Sequence, residues 1–116
     1  MNKLAAGQKA EDLAAAFLQA KGLTVVERNF RAKVGEIDLI ARDGDEIVFV
    51  EVRARASRAF GGAAASVDGP KRRKLVRAAR LWLAARGWGG ACRFDVVAVD
   101  GAALEHLPAA FDAGGR

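Results

Sequence analysis

The sequence predicts a mixed α/β fold of the α+β kind, one sheet covered by a helix on each side, with elements in the order α-β-β-β-α-β-β. Three observations predict it. Two segments with a helical apolar period stand well apart in the chain, three alternating β-type runs lie between them, and a fourth such run follows the second helix. Nothing repeats and no linker divides the chain, so residues 1–116 read as a single domain.

The first helix is expected from Leu4 to Lys21. Ala10, Leu13, Ala14, Phe17 and Leu18 fall at i, i+3, i+4, i+7 and i+8, and Gly22 follows where a C-terminal cap belongs. Glu11 shares a ridge with Ala14, Ala15 and Leu18, at the edge of the apolar stripe. On an isolated helix such a glutamate is usually solvated and paired with neighbours such as Lys9 or Gln8. Leu23 to Phe30 is β-rich, and Ala32 to Val34 reads as a turn into the next strand.

Gly35 to Arg53, GEIDLIARDGDEIVFVEVR, reads as a hairpin of two apolar runs that carry carboxylates at alternating positions. Side chains alternate across a strand, so Glu36, Asp38 and Ile40 share one face of the first run, with Ile37, Leu39 and Ala41 on the other. In the second run Ile47, Phe49, Glu51 and Arg53 share a face opposite Val48, Val50 and Val52. A two-residue turn at Asp43-Gly44 sets Asp38 opposite Phe49 and diagonal to Glu51. A four-residue turn from Asp43 to Glu46 sets Asp38 opposite Glu51 and Glu36 opposite Arg53. Both registers gather the carboxylates on one face.

Residues 54–69, ARASRAFGGAAASVDG, are small and glycine-broken and read as a mobile loop, with Arg55 and Arg58 at its start suited to phosphate contacts. Gly69-Pro70 opens the second helix, which runs to about Arg86 before Gly87. Its apolar stripe is Leu75, Ala78, Ala79, Trp82 and Leu83, while Arg73, Arg77 and Arg80 line another face. Lys71, Arg72, Arg73 and Lys74 crowd its N-terminus, where the helix dipole disfavours each cation by roughly 0.3–1 kcal/mol. Local stability does not explain that placement; phosphate binding would. Arg93 to Val99 is a fourth strand, Asp100-Gly101 turns into a weak fifth around Leu104 to Leu107, Pro108 ends it, and residues 109–116 read as a frayed tail.

Composition narrows the classes. A chain of 116 residues with 52% hydrophobic content can bury a real core. The lone Cys92 excludes an internal disulfide or a cysteine-cluster zinc site, and the lone His106 excludes multi-histidine ligation. No apolar run has the length of a signal peptide core or a membrane span, so a cytoplasmic protein without membrane association is expected. A net charge of +5 and a pI near 10.0 suit a polyanionic partner such as nucleic acid.

Carboxylates opposed on a sheet repel, and buried charges need a partner, so Asp38 and Glu51 ask for a cation. Arg53 is one candidate, in which case it pairs with Glu36 or Glu51 and the cluster is an ion-pair network. A divalent cation such as Mg²⁺ is the other, since two or three carboxylates with substrate phosphate oxygens complete a hard-cation site. Such a cation would activate water for phosphodiester hydrolysis, with Arg53, two positions after Glu51, stabilising the developing charge.

The segments GQKAEDLAAAFLQAKGLTVVERNFR, GEIDLIARDGDEIVFVEVRAR, FGGAAASV, PKRRKLVRAARLWL and RFDVVAV resemble the bacterial YraN family, from about Gly7 to Phe111. That family is similar to the PD-(D/E)XK nuclease superfamily, particularly archaeal Holliday-junction resolvases. The resemblance implies a restriction-endonuclease-like core and a Mg²⁺- or Mn²⁺-dependent DNA endonuclease acting on branched or damaged DNA, generally as a homodimer. By the same resemblance Asp38 matches the motif aspartate, Glu51 the motif acidic residue, and Glu11 the first-helix glutamate that supports the metal site. Arg53 occupies the motif lysine position. Arginine is effectively never deprotonated, so it cannot serve there as a base, and Lys71 or Lys74 is the alternative source of an ammonium. The competing expectations are a DNA-binding accessory protein without catalysis and an interaction protein whose basic helix meets an acidic partner.

Overall fold

The computed structural model describes residues 3–54 and 62–114. In chain order they form α1 (Lys3–Ala20), β1 (Thr24–Ala32), β2 (Gly35–Asp43), β3 (Glu46–Ala54), α2 (Gly62–Ser66), α3 (Gly69–Arg86), β4 (Cys92–Asp100) and β5 (Ala103–Phe111). The five strands make one mixed sheet in the order β1-β2-β3-β4-β5. Strands β1, β2 and β3 are an antiparallel meander, β3 and β4 run parallel across the α3 crossover, and β5 returns antiparallel at the far edge. This is the helix-flanked mixed sheet expected from the sequence.

Each face of the sheet has its own core. On one side Ala10, Ala14, Ala15 and Leu18 of α1 pack on Leu39, Ala41, Val48, Val50, Val97 and Val99. On the other Leu75, Val76, Ala78, Ala79 and Trp82 of α3 pack on Ile40, Ile47, Phe49, Phe94 and Val96. The two helices are thus held by the two faces of β3, whose apolar residues alternate between the clusters. Gly35 lets α3 come close: a Cβ there would lie 2.7 Å from the Lys74 carbonyl oxygen.

Helix α3 is bounded as its sequence predicts. The Asp68 side chain accepts from the Lys71 N–H at 2.9 Å, Pro70 sits in the first turn, and Gly87 caps the C-terminus at φ 64°. The strand preceding it ends before a segment that the sequence reads as loop. Part of that segment is instead helix α2, from which Val67 follows into the core at 1% exposure.

Two boundaries depart from expectation at β5. The strand continues through Pro108 to Phe111 because β4 and β5 change register between Phe94 and Val96, and such an irregularity on an edge strand tolerates a missing N–H. Residues 109–111 are therefore sheet rather than tail. Phe111 is buried and stacks on Phe94, with ring centroids 5.0 Å apart.

Alternation also fails once in β2. Ile37 was expected to share a face with Leu39 and Ala41, yet it joins Ile40 in the α3-side core. Pairing of β2 with β3 runs from Asp43↔Glu46 to Leu39↔Val50, and Asp38 lies just beyond its end.

Candidate functional site

The hairpin register decides which carboxylates meet. With a tight turn at Gly44-Asp45 closing the Asp43↔Glu46 pair, the second of the two expected registers is the one adopted, and its next step brings Asp38 to Glu51. Asp38 does not continue the backbone ladder. Its Oδ2 accepts the Val52 N–H at 2.8 Å, which holds the carboxyl beside that of Glu51.

Glu51 projects to the α3 side, in phase with Ile47 and Phe49, and is 4% exposed. Its Oε2 faces two cations, Lys71 Nζ at 3.6 Å and Arg53 Nε at 3.7 Å. Neither separation is a hydrogen bond. Arg53 Nε and Glu51 Oε1 are both buried without a hydrogen-bond partner, while Arg53 Nη2 donates to the Ser66 carbonyl at 2.7 Å. Of the two pairings expected for Arg53, the one with Glu51 forms and the one with Glu36 does not, since Glu36 faces Arg31 at 3.8 Å across the β1–β2 pair.

Burial, followed by the charge of Glu51 and a hydrogen bond shared with it, pushes the Asp38 carboxyl up to about 8, against the smaller opposing effects of the Val52 N–H and Lys71. A proton kept on Asp38 relieves the repulsion between the two carboxyls. A cation would do the same and would also engage the orphaned Glu51 oxygen.

Helix α1 brings Glu11 to the rim. Burial, with the nearby charge of Asp38 next, raises its carboxyl, and a hydrogen bond from the Asn29 side chain works against the shift. Glu11 Oε1 is another buried oxygen without a donor. Among the described residues, however, no three Asp, Glu, His or Cys side chains converge closely enough to form a metal cluster. Of the three carboxylates expected from the resemblance, Asp38 and Glu51 meet, with Glu11 close enough to feel Asp38.

The basic residues fall into distinct groups. Lys71 reaches the carboxylate pair, whereas Lys74 is exposed. Arg72, expected at a phosphate, is instead used internally: it donates to the Val67 and Ala64 carbonyls, both at 2.7 Å, and lies over the Phe111 ring at 5.1 Å. Arg73, Arg77 and Arg80 are exposed and line a cavity with the C-terminal segment. Arg55 and Arg58 lie outside the described residues.

Two residues escaped the sequence reading. Asn29 adopts φ 54° inside β1 and bonds to Glu11. The signal was an asparagine, tolerant of the left-handed region and rare in strands, in the middle of an otherwise strand-like run. Asp95 is wholly buried in β4, where its carboxylate accepts from Arg93 Nε at 3.0 Å and the Ala109 N–H at 2.9 Å, and meets His106 Nε2 at 2.7 Å. An aspartate at the centre of RFDVVAV was the signal, since a buried carboxylate must be paired.

A helix-flanked mixed sheet with a buried, incompletely bonded carboxylate pair at the end of its central hairpin defines the class. The chain matches the model of the uncharacterised protein family UPF0102 over residues 10–99, and it belongs to that family. It is 50% identical over 106 residues to the UPF0102 protein of Herminiimonas arsenicoxydans, covering 91% of this chain and 86% of the relative. It is 54% identical over 112 residues to that of Ralstonia nicotianae, covering 92% and 86%. The corresponding protein of Cupriavidus metallidurans is 55% identical over 109 residues, covering 93% and 81%. No described helix is long and apolar enough to cross a membrane.

Proposed function

We propose that the chain is a metal-dependent DNA endonuclease of the PD-(D/E)XK type, acting in the cytoplasm on branched or damaged DNA during recombination or repair. The observation that carries this reading is Glu51: a carboxylate 4% exposed, one oxygen without any donor, beside an Asp38 carboxyl held by a backbone N–H. A structural ion pair would be expected to complete its hydrogen bonds.

The donor set fits a hard divalent cation such as Mg²⁺ or Mn²⁺, held by Asp38 and Glu51 with the remaining positions left to water and substrate oxygens. When bound, the cation supplies polarisation of a phosphodiester oxygen and an activated water. The chain's own residues do the rest. The Val52 N–H fixes the orientation of Asp38. Glu11, whose Oε1 lacks a donor, is available to a water at the rim. Lys71 carries the ammonium that the hairpin lacks, 3.6 Å from Glu51, where it can hold the attacking water and stabilise developing charge. Arg53, tied to the Ser66 carbonyl, remains a fixed cation for developing charge.

A second reading, a DNA-binding accessory protein without catalysis, draws on the lack of a three-carboxylate cluster among the described residues and on arginine at position 53. Incubating the purified protein with duplex, flap and four-way-junction DNA under Mn²⁺ or Mg²⁺ tests both. Metal-dependent cleavage of branched DNA that disappears in Asp38→Asn is expected. Salt-sensitive binding without cleavage would favour the accessory reading, and no binding would refute both.

A further inference from the structure

The other face of α3 carries a feature that the carboxylate site does not use. Arg73, Arg77 and Arg80 line a cavity of about 240 Å³ together with Val76 and the backbone at Ala113 and Gly114. At about 3.6 residues per turn, Arg73 and Arg80 lie roughly opposite Lys71 on the helix. The residue that reaches Glu51 and those that line the cavity therefore face different ways.

These arginines differ from the rest. Every other described arginine engages a carboxylate, a backbone carbonyl or an aromatic ring, as with Arg28 and Asp12, Arg86 and Glu27, Arg93 and Asp95, or Arg72 and the Ala64 carbonyl. Among the described residues Arg73, Arg77 and Arg80 have no such partner. Like charges spaced three or four apart on a helix destabilise it, and α3 contains no acidic residue to offset them. Their convergence on a cavity is thus unfavourable for the fold alone and favourable once an anion is present.

We propose that this cavity is a phosphate-binding site, separate from the carboxylate pair, which takes a phosphate group of nucleic acid. Guanidinium forks match phosphate oxygens in bidentate geometry. The volume falls below the roughly 300–1,000 Å³ of sites that enclose whole small-molecule ligands, so the site admits the phosphate rather than a complete nucleotide. Alongside the proposed nuclease site it gives α3 two phosphate stations on opposite sides. A second strand, or the end of one, is held while the first lies at the carboxylates. This assignment does not require the carboxylate pair to be catalytic.

Thermal melting with inorganic phosphate at constant ionic strength tests it, followed by titration of short single-stranded oligonucleotides bearing either a 5′-phosphate or a 5′-hydroxyl. Phosphate is expected to raise the melting temperature of the wild type and of Asp38→Asn, but not of the double variant Arg77→Ala, Arg80→Ala. Both substitutions are on an exposed helix face and raise helix propensity, so the variant folds. A preference for the 5′-phosphate, lost roughly tenfold or more in the double variant, assigns the cavity to a terminal phosphate. Equal affinity for both oligonucleotides, with a salt slope lowered by about 0.7 per lost contact in the variant, assigns it to the backbone phosphodiester. The proposal is overturned if wild type and double variant respond alike to phosphate and bind both oligonucleotides with the same affinity and salt slope. A protein inert toward branched DNA with Mn²⁺ that still shows the phosphate response would retire the nuclease reading and leave this one standing.

Discussion

Asp95 and Glu51 are both buried carboxylates on neighbouring strands of one sheet, and they are treated differently. Asp95 is completely enclosed and bonded to Arg93, His106 and the Ala109 N–H. Arg93 is itself clamped by Asp43 and Glu46 at 3.0 and 2.9 Å, and His106 Nδ1 meets Lys21 Nζ at 2.8 Å. Glu51 is almost as buried but sits at arm's length from its cations, with one oxygen bare and Asp38 pressed against it. Burial alone does not mark a functional carboxylate. What sets Glu51 apart is its unfilled hydrogen-bonding capacity, which a structural pair gains nothing from leaving open.

The comparison makes opposite predictions for the two positions. Asp95→Ala removes the buried acceptor that Arg93, His106 and the Ala109 N–H share and is expected to cost about 3–5 kcal/mol, read as a fall in the urea midpoint. Asp38→Asn removes a repulsion and should leave the midpoint unchanged or raise it in metal-free buffer. A destabilised Asp38→Asn would make the two clusters alike.

Next in size is the response to metal. If Asp38 and Glu51 hold a cation, Mn²⁺ at about 100 times its Kd should stabilise the wild type by roughly 2.7 kcal/mol by mass action. Melting curves should show no such gain in Asp38→Asn. An unchanged gain there would move the cation elsewhere.

Helix α3 carries Lys71 to the pair only because Gly35 admits it. Gly35→Ala would put a Cβ 2.7 Å from the Lys74 carbonyl and force the helix outward, at a cost of about 1–3 kcal/mol. Separation of Lys71 from Glu51 should then lower cleavage more than it lowers DNA binding. Equal losses in both would tie Gly35 to folding alone.

The remaining prediction concerns pH. The Asp38 carboxyl titrates near 8 in the folded protein against an ordinary 3.8, so the folded state holds the extra proton between those values. Its contribution is full below about pH 4 and is lost as pH rises through 8. Metal-free wild type should therefore lose stability relative to Asp38→Asn from about pH 4 to 8, and Mn²⁺ should flatten that difference. A pH-independent difference would contradict the raised Asp38 carboxyl.

Asp38, Glu51 and the two helices were legible because each depended on a short period: alternation within a hairpin, or the 3.6-residue stripe that buries Leu75, Ala78, Ala79 and Trp82. The failures all needed a partner outside the element that carries them. Arg72 reads as a surface cation until Ala64 of α2 and Val67 just after it supply the carbonyls it binds. Pro108 reads as a terminator until the shift in the β4–β5 register makes room for it. Ile37 breaks alternation where Asp38 turns its carboxyl to the Val52 N–H, a contact no local pattern encodes.

The central claim is that the bare oxygen of Glu51 belongs to a cation-dependent hydrolytic site served by Lys71. Measuring Mn²⁺-dependent cleavage and binding of four-way-junction DNA side by side for wild type, Asp38→Asn and Lys71→Ala tests it most directly. Cleavage by the wild type, a loss of about 10²-fold or more in both variants, and binding that stays close to wild type are expected. Wild-type protein that binds the junction but does not cut it with Mn²⁺, or Lys71→Ala protein that cuts it as fast as wild type, would contradict the account.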